Sequence, residues 1–429
     1  MTVNKSLIAN FALHESSAIV KMTTGAIKLK RIKDGNVWIA TLLAFAMIPM
    51  SGFATDIYLP SLPGMAGALG ITNSQTQLTL SLFLISYGVS QLFVGGLLDS
   101  YGRYKISLVS ILVFCISCVI IANTKSIYVI YAMRILHGIT IAAMVVSKRA
   151  FFVDLYSGEQ LKNYLSIFTI IWSTGPIVAP FIGGFLEVNF GWSSNFYFLG
   201  GFGAILLLLE LIFSGETIKH TTAFHPAKIL AIYVEMVRTG SFTLGIGMLG
   251  LAYSMVMVYN MSGPFIIEHY FNLSPVITGY CSLLLGFAWM VGGFLGKGTI
   301  NKPFIRKMNI NVSFQLVAAL ALLLTFSLFN QLWTVLVFAF MVHVGAGFTY
   351  NNYFTFCLQK FPQNAGIAGG LTGGLCYVIV SMLSYTLIYL LPAKDGVNLS
   401  FSYIALILVS ALVMYRVFVL NGKEPHHTA

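Results

Sequence analysis

Two ionisable residues, Asp56 and Arg134, lie inside long apolar stretches of the chain. A charge at the centre of a membrane-spanning helix costs about 2.5 to 3.5 kcal/mol, so such residues point to a function. Asp56 lies near the end of one stretch, and Arg134 lies about seven residues, or roughly 10 Å, past the start of an oppositely directed one. We therefore expect the two side chains to be near neighbours facing a central cavity. There Arg134 would stay charged while Asp56 alternates between an ion-paired and a protonated form, the alternative being a permanent ion pair that locks one half.

A short polar loop contains Asp99, Gly102 and Arg103. Glycine at position 102 permits a tight turn, and the carboxylate of Asp99 can pair with a nearby base or helix end. These residues are predicted to latch one face of the protein during conformational change. The alternative is an ordinary basic loop at the membrane surface.

A third feature is the run GPIVAPFIGG at residues 175–184. Neighbouring helices can compensate for proline and glycine inside a membrane helix, and such a run allows a bend and close helix contact. We predict a conformational role for its residues Gly175, Pro180, Gly183 and Gly184. The alternative is generic helix packing.

Polar and aromatic residues near the middle of several apolar stretches are candidates for a substrate pocket, since aromatic side chains give an adaptable, weakly selective wall. Most of the 34 Phe and 21 Tyr residues nevertheless serve packing or interface belts. The candidates are Tyr87, Gln91, Tyr253, Tyr259, Asn260, His343, Tyr350 and Asn351.

The composition explains which elements hold these residues in place. The chain has 429 residues, of which 57% are hydrophobic and only 9% are charged, whereas soluble domains carry about 25% charged residues. Twelve apolar stretches follow one another with short loops, which predicts an all-α membrane protein with twelve transmembrane helices. The five cysteines all fall within these stretches and suggest neither a disulfide framework nor a metal site.

The net charge of +11 is explained by membrane orientation rather than by nucleic-acid binding. Of 24 Lys and Arg residues, only Lys125 and Lys394 fall on the side opposite the N-terminus and Arg134 falls inside a span, which leaves 21 on the N-terminal side. Because basic loops stay in the cytoplasm, both termini are predicted to be cytoplasmic.

The polar interval 215–240 divides the spans into two sets of six. GGLLDSYGRYK at 95–105 and GGFLGKGTINK at 292–302 follow the second span of each half, which indicates an internal repeat. The predicted organisation is a cytoplasmic tail at 1–35, a six-helix half at 36–214, a cytoplasmic linker at 215–240, a six-helix half at 241–420 and a tail at 421–429. The sequence leaves open whether translation starts at Met1 or Met22.

Several motifs together resemble the major facilitator superfamily, and in particular its bicyclomycin-resistance-like drug/proton antiporters with twelve spans. The loop resembles the family signature G-x-L-x-D-x-x-G-R, and residues 175–184 resemble the antiporter signature, with Ala179 in place of a glycine. The first and fourth spans resemble the family motifs D-x-Y-L-P and R-x-x-x-G through Asp56, Tyr58, Leu59, Pro60, Arg134 and Gly138.

The resemblance implies the major facilitator fold and proton coupling through Asp56 and Arg134. A second acid found in the first span of some relatives is replaced here by Ile48. The expected function is proton-coupled export of small amphipathic compounds by alternating access in the bacterial inner membrane. No cofactor other than the coupling proton, no metal and no nucleic acid is expected, and the lipid bilayer is the environment of a functional monomer.

Other functions stay open at this point: export of one endogenous metabolite or siderophore, or proton-coupled uptake of a metabolite, because a fold does not set direction. A membrane transferase would need clustered acids or histidines, and the chain has only scattered ones. Neither the substrate, the direction, the proton stoichiometry nor the oligomeric state can be read from the sequence.

Overall fold

The computed structural model describes residues 30–421, except 219, 220, 222, 362–364 and 393. The predicted tails therefore lie largely outside the described residues. Within the described part the chain is helical, and β-type pairing is limited to a single bridge between Arg31 and Glu216. The helices are α1 (Val37–Met47), α2 (Met50–Asp56), α3 (Leu62–Leu69), α4 (Asn73–Tyr101), α5 (Arg103–Asn123), α6 (Ile127–Leu155), α7 (Gly158–Phe190), α8 (Ser193–Phe213), α9 (Pro226–Arg238), α10 (Gly240–Phe265), α11 (Pro275–Gly298), α12 (Phe304–Phe329), α13 (Leu332–Lys360), α14 (Ala365–Leu390) and α15 (Gly396–Asn421).

The predicted helical membrane architecture is confirmed. Among the described residues, eleven helical segments are long and apolar enough to cross a membrane, with α1 to α3 forming the first of them. The remaining predicted span, the fifth in chain order, corresponds to α7, a helix of 33 residues that runs without interruption through Pro176 and Pro180. The interval between the halves contains α9, which is anchored where the Tyr233 hydroxyl donates to the Leu92 carbonyl oxygen at 2.9 Å.

The first span is broken rather than continuous. Its helix stops at Met47, resumes at Met50, ends again at Asp56 and continues beyond a short 3-10 turn at Leu59–Ser61. Proline explains these breaks, because Pro49 and Pro60 have no N–H to donate to the helix. The break after Asp56 leaves the last carbonyl groups of α2 available to other partners.

The two halves meet along α4 with α14 and along α7 with α11. We call the end of the bundle at Tyr101, Leu155 and Phe213 the linker end, and the end at Asn73 and Phe190 the opposite end. Two short hydrogen bonds, in addition to a longer one from Asn260 to Asp56, join the halves between the opposite end and the middle of the bundle. The Gln77 side-chain amide donates to the Met261 carbonyl oxygen at 2.7 Å, and the Ser381 hydroxyl donates to the Ser81 carbonyl oxygen at 2.7 Å.

Candidate functional site

Asp56 lies at the last residue of α2, where the first span is broken, and its side chain is only 1% exposed. Its Oδ1 accepts a hydrogen bond from Asn260 Nδ2 of α10 at 3.4 Å, while Oδ2 has no hydrogen-bond partner among the described residues. The donor belongs to the other half of the protein. Asp56 is therefore a buried carboxyl group at the boundary between the two halves.

Arg134 is fully buried between α2 and α4. Its Nη1 donates to the Ala54 carbonyl oxygen at 2.9 Å, and its Nε donates to the Thr79 carbonyl oxygen at 3.3 Å. Ala54 belongs to the last turn of α2, whose carbonyl groups lack partners within the helix. The guanidinium carbon also lies 4.6 Å from the centroid of the Tyr58 ring and 4.5 Å from that of Phe83, so that aromatic faces contribute to holding the cation.

Arg134 binds the helix turn that ends in Asp56, but the two side chains do not form an ion pair in this structure. The ion pairs of the described residues do not include them. The arginine instead binds the backbone two residues before Asp56, while the carboxyl group points to Asn260. The permanent ion pair considered from the sequence is thus not the observed arrangement.

Close approach of α6 to α4 sets the position of Arg134. A Cβ added to Gly138, one turn further along α6, would lie 2.6 Å from the Phe83 carbonyl oxygen and 2.0 Å from the Ser86 hydroxyl. Only glycine fits this contact without a shift of the helices. Because Gly138 has no side chain, α6 can approach α4 closely enough for the Arg134 guanidinium group to contact the Phe83 ring.

Four tyrosines and one tryptophan form an aromatic cluster near the middle of the bundle. Tyr87 of α4 meets Tyr377 of α14 across the two halves, with ring centroids 4.8 Å apart. Tyr253 of α10 lies 5.8 Å from Tyr377, 5.6 Å from Trp289 and 6.2 Å from Tyr350 by the same measure. Except for Tyr87, these side chains are partly exposed, although they lie in the interior of a membrane bundle. They line space between the helices of both halves.

The structure separates the pocket candidates into two groups. Tyr87, Tyr253 and Tyr350 belong to the aromatic cluster, Asn260 contacts Asp56, and Gln91 lies against Gly373 of α14. The remaining candidates lie elsewhere: Tyr259 and His343 contact each other inside the second half, with ring centroids 5.6 Å apart, and Asn351 packs against Gly296 of α11.

The glycines of residues 175–184 make two different contacts. Gly175 and Gly183 face the first span, where added Cβ atoms would lie 2.8 Å from the Pro49 carbonyl oxygen and 1.6 Å from that of Ile57. Gly184 faces the other half, where its Cβ would lie 2.5 Å from the Pro275 carbonyl oxygen.

Pro180 shares the second contact. A Cβ on Gly279 of α11 would lie 2.8 Å from the Pro180 carbonyl oxygen. The segment therefore joins the broken first span on one side to the second half of the protein on the other.

The loop residues form an ion network at the linker end. Arg103 pairs with Asp99 at 2.9 Å and also with Asp154 at the end of α6. Gly102 has a φ of +94°, a conformation that favours glycine. In this structure the described partners of Asp99 and Arg103 belong to the first half.

Three features of the site region were not predicted. Trp289 and Tyr377 complete the aromatic cluster, but in the sequence they resemble other aromatic residues of apolar stretches. Lys148 and Glu210 form a buried ion pair at 2.7 Å between α6 and α8. In the sequence, Lys148 counts only as one more basic residue, and the position of Glu210 inside an apolar run is the signal that could have identified the pair.

Comparison with known proteins agrees with this architecture. Residues 41–385 match the Major Facilitator Superfamily. A bicyclomycin resistance protein homolog of Haemophilus influenzae is 25% identical over 91% of this chain and 98% of its own length, and multidrug resistance protein D of Escherichia coli is 27% identical over 81% and 87%.

Among solved structures, a bacterial homolog of the human lysosomal transporter Spinster, in an inward-facing conformation, superposes with a TM-score of 0.73. It has 12% identity, and the match covers 92% of this chain and all of that one. These proteins are transporters rather than enzymes, which removes the membrane transferase from the alternatives. The match over most of the chain, with the two-half helical fold, establishes that this protein belongs to the major facilitator superfamily, as its motifs predicted.

Proposed function

We propose that this protein is a drug/proton antiporter that exports small amphipathic compounds across the bacterial inner membrane. The relatives named for resistance to bicyclomycin and to multiple drugs support export. The observation that carries the coupling mechanism is the buried Asp56 carboxyl group, which has one weak donor from the other half and no ion-pair partner among the residues that the structure describes.

The chemistry of this group explains how a proton can drive rearrangement. A buried charge is tolerated only when it is paired or hydrogen-bonded, so a nearly unpaired carboxyl group is best accommodated as the neutral acid. When Asp56 releases its proton it needs a stronger partner, and Arg134 lies nearby with one unpaired Nη2. Loss of the proton would then shift Asp56 from Asn260 toward Arg134 and weaken a contact between the halves.

The proposed orientation places both termini in the cytoplasm, so the linker end is cytoplasmic and the opposite end is periplasmic. The hydrogen bonds between Gln77 and Met261 and between Ser81 and Ser381 then close the periplasmic side. Substrate would enter from the cytoplasm and contact the aromatic cluster. Its mixed aromatic and hydroxyl surface suits amphipathic compounds of varied shape. The monomer contains both halves and is the proposed functional unit.

The proton gradient is sufficient for such work. One elementary charge that moves down a potential of 100 mV releases about 2.3 kcal/mol, which supports roughly fiftyfold accumulation of a neutral substrate before any pH difference is counted.

The test uses everted membrane vesicles loaded with a pH-sensitive dye and challenged with cationic, neutral and zwitterionic compounds. The wild-type protein should release protons from the vesicle interior when a substrate is added. Asp56→Asn should abolish this signal at unchanged expression, whereas Glu159→Gln, which neutralises an exposed acid at the start of α7, should retain it. Normal proton release by Asp56→Asn would exclude Asp56 as the coupling acid, and a proton flux in the uptake direction would exclude export.

A further inference from the structure

A large groove lies in the second half, outside the site described above. It has a volume of about 660 Å³ and lies between the linker end of α11 and the start of α12, with α13 as its floor. Val344 and Phe348 form the floor, while Leu295 and Ile310 line the walls and are 50% and 62% exposed. Exposed apolar side chains on a membrane helix face lipid tails. The groove therefore opens to the bilayer.

The rim of the groove at the linker end is strongly basic. Lys302, Arg306 and Lys307 line it. Lys307 is only 8% exposed, and its ammonium group donates to the Thr299 carbonyl oxygen at 3.1 Å. No Asp or Glu occurs in the sequence between Glu268 and Asp395. Among the described residues, the ion pairs involve none of these three cations. The rim thus concentrates positive charge that no carboxylate of the described residues pairs with.

The corresponding place in the first half differs both in how it is packed and in how its charges are paired. In the internal repeat, Gly296 occupies the position of Asp99, and Asp99 pairs with Arg103. The space between α4 and α5 is filled by an apolar cluster that contains Leu98, Ile106 and Val146. The second half therefore has a groove with a basic rim at the place where the described residues of the first half form an apolar cluster and an Asp99–Arg103 ion pair.

We propose that this groove binds an anionic glycerophospholipid of the cytoplasmic leaflet. The lipid phosphate would lie against Lys302, Arg306 and Lys307, and one acyl chain would follow the apolar walls toward Phe314. Basic pockets between helices on the cytoplasmic side are suited to anionic head groups, and the apolar walls provide for an acyl chain, which a free phosphate ion would not need. The assignment to this leaflet rests on the proposed orientation with cytoplasmic termini.

Lipid binding can be measured on the purified full-length protein by native mass spectrometry. Phosphatidylglycerol and phosphatidylethanolamine with identical acyl chains would be titrated into detergent-solubilised protein. We expect preferential binding of one phosphatidylglycerol. The double variant K302Q/R306Q should weaken it about thirtyfold, since each cation near an anionic lipid contributes about fivefold, or about 1 kcal/mol. If the double variant cannot be purified, Lys302→Gln alone should weaken it about fivefold.

The matched control is Lys105→Gln, which removes the same charge at the repeat position equivalent to Lys302 in the first half. It should leave phosphatidylglycerol binding within about twofold of wild type. Equal binding of the two lipids by wild type, or equal losses in the rim and control variants, would overturn the proposal. Displacement of the lipid by millimolar inorganic phosphate would also overturn it, because it would identify an anion site that makes no use of the acyl chain.

The binding measurement does not require transport, so failure of the lipid site and failure of proton-linked export are distinguishable. The leaflet has its own test: a membrane-impermeant thiol reagent should label Asn301→Cys, which is exposed beside the rim, in everted vesicles but not in intact cells. Labelling in intact cells would refute the leaflet and the orientation on which it rests.

Discussion

The contact of Gly184 with the second half allows a direct test of how the opposite end, which is the proposed periplasmic side, closes. An alanine Cβ at this position would lie 2.5 Å from the Pro275 carbonyl oxygen, 3.1 Å from the Pro275 carbonyl carbon and 3.2 Å from the Val276 Cα. All three are backbone atoms, so no side-chain rotation can relieve the clash. Carbon atoms reach favourable contact at about 3.5 Å, which requires α7 and α11 to separate by about 1 Å.

The free-energy cost of this separation applies only to the conformation in which α7 and α11 are in contact. Overpacking of a close contact costs about 1 to 3 kcal/mol. Because Gly184 and Pro275 belong to different halves, a conformation in which the halves have moved apart at this end avoids the clash. Gly184→Ala should therefore shift the equilibrium from the form closed at the opposite end toward the form open there by a factor of about 5 to 150.

Pulsed electron paramagnetic resonance can measure this shift. Spin labels at Asn189→Cys and Ser274→Cys, both exposed beside the contact, report the distance between α7 and α11. Background labelling should be low, because four of the five native cysteines are buried and Cys115 is partly buried. We expect the long-distance population to increase in Gly184→Ala at unchanged protein yield.

Two matched glycine variants test the reasoning. Gly183→Ala would place its Cβ 1.6 Å from the Ile57 carbonyl oxygen within the same half, so it should lower thermal stability rather than shift the distance populations. Gly201→Ala meets no atom within 4 Å and should change neither. Identical distance distributions in wild type and Gly184→Ala, or equal shifts in Gly183→Ala, would refute the proposed role of this contact in closure.

Three further predictions concern individual side chains. Glu210→Gln should lower the free energy of unfolding by about 3 to 5 kcal/mol in a thermal unfolding assay, because it leaves Lys148 buried without its charged partner. The double variant K148M/E210Q should recover part of the loss, and a single variant as stable as wild type would contradict this account. Arg134→Lys should reduce proton-linked efflux at least about tenfold in vesicles, because lysine cannot reproduce the contacts of the planar guanidinium group; unchanged efflux would show that charge alone suffices. Tyr377→Ala should raise the concentration of an aromatic substrate that gives half-maximal efflux by about two- to tenfold. Tyr389→Ala, which removes a side chain that is 66% exposed, should not change this concentration, and equal effects of the two variants would argue against the aromatic cluster as the pocket.

Some properties of this protein follow from the sequence alone. Helical spans and their approximate limits are encoded locally, because a helix in lipid satisfies its own backbone and needs only an apolar run of sufficient length. The repeated loop and the motifs around Asp56 and Arg134 likewise identify the family from the sequence alone. The motif in the sequence marks Gly138, but it does not show why glycine is needed there. The structure gives the reason, because an added Cβ would lie 2.6 Å from the Phe83 carbonyl oxygen.

The partners of the charged residues depended on the tertiary structure. Asp56 and Asn260 are 204 residues apart, and the docking of two halves decides their contact. Arg134 binds the Ala54 carbonyl oxygen because the first span breaks after Asp56, which no count of apolar residues could show. An apolar run specifies that a helix crosses the membrane, but its rotation depends on packing with neighbours distant in sequence, and that rotation decides which side chains face a partner, a cavity or lipid.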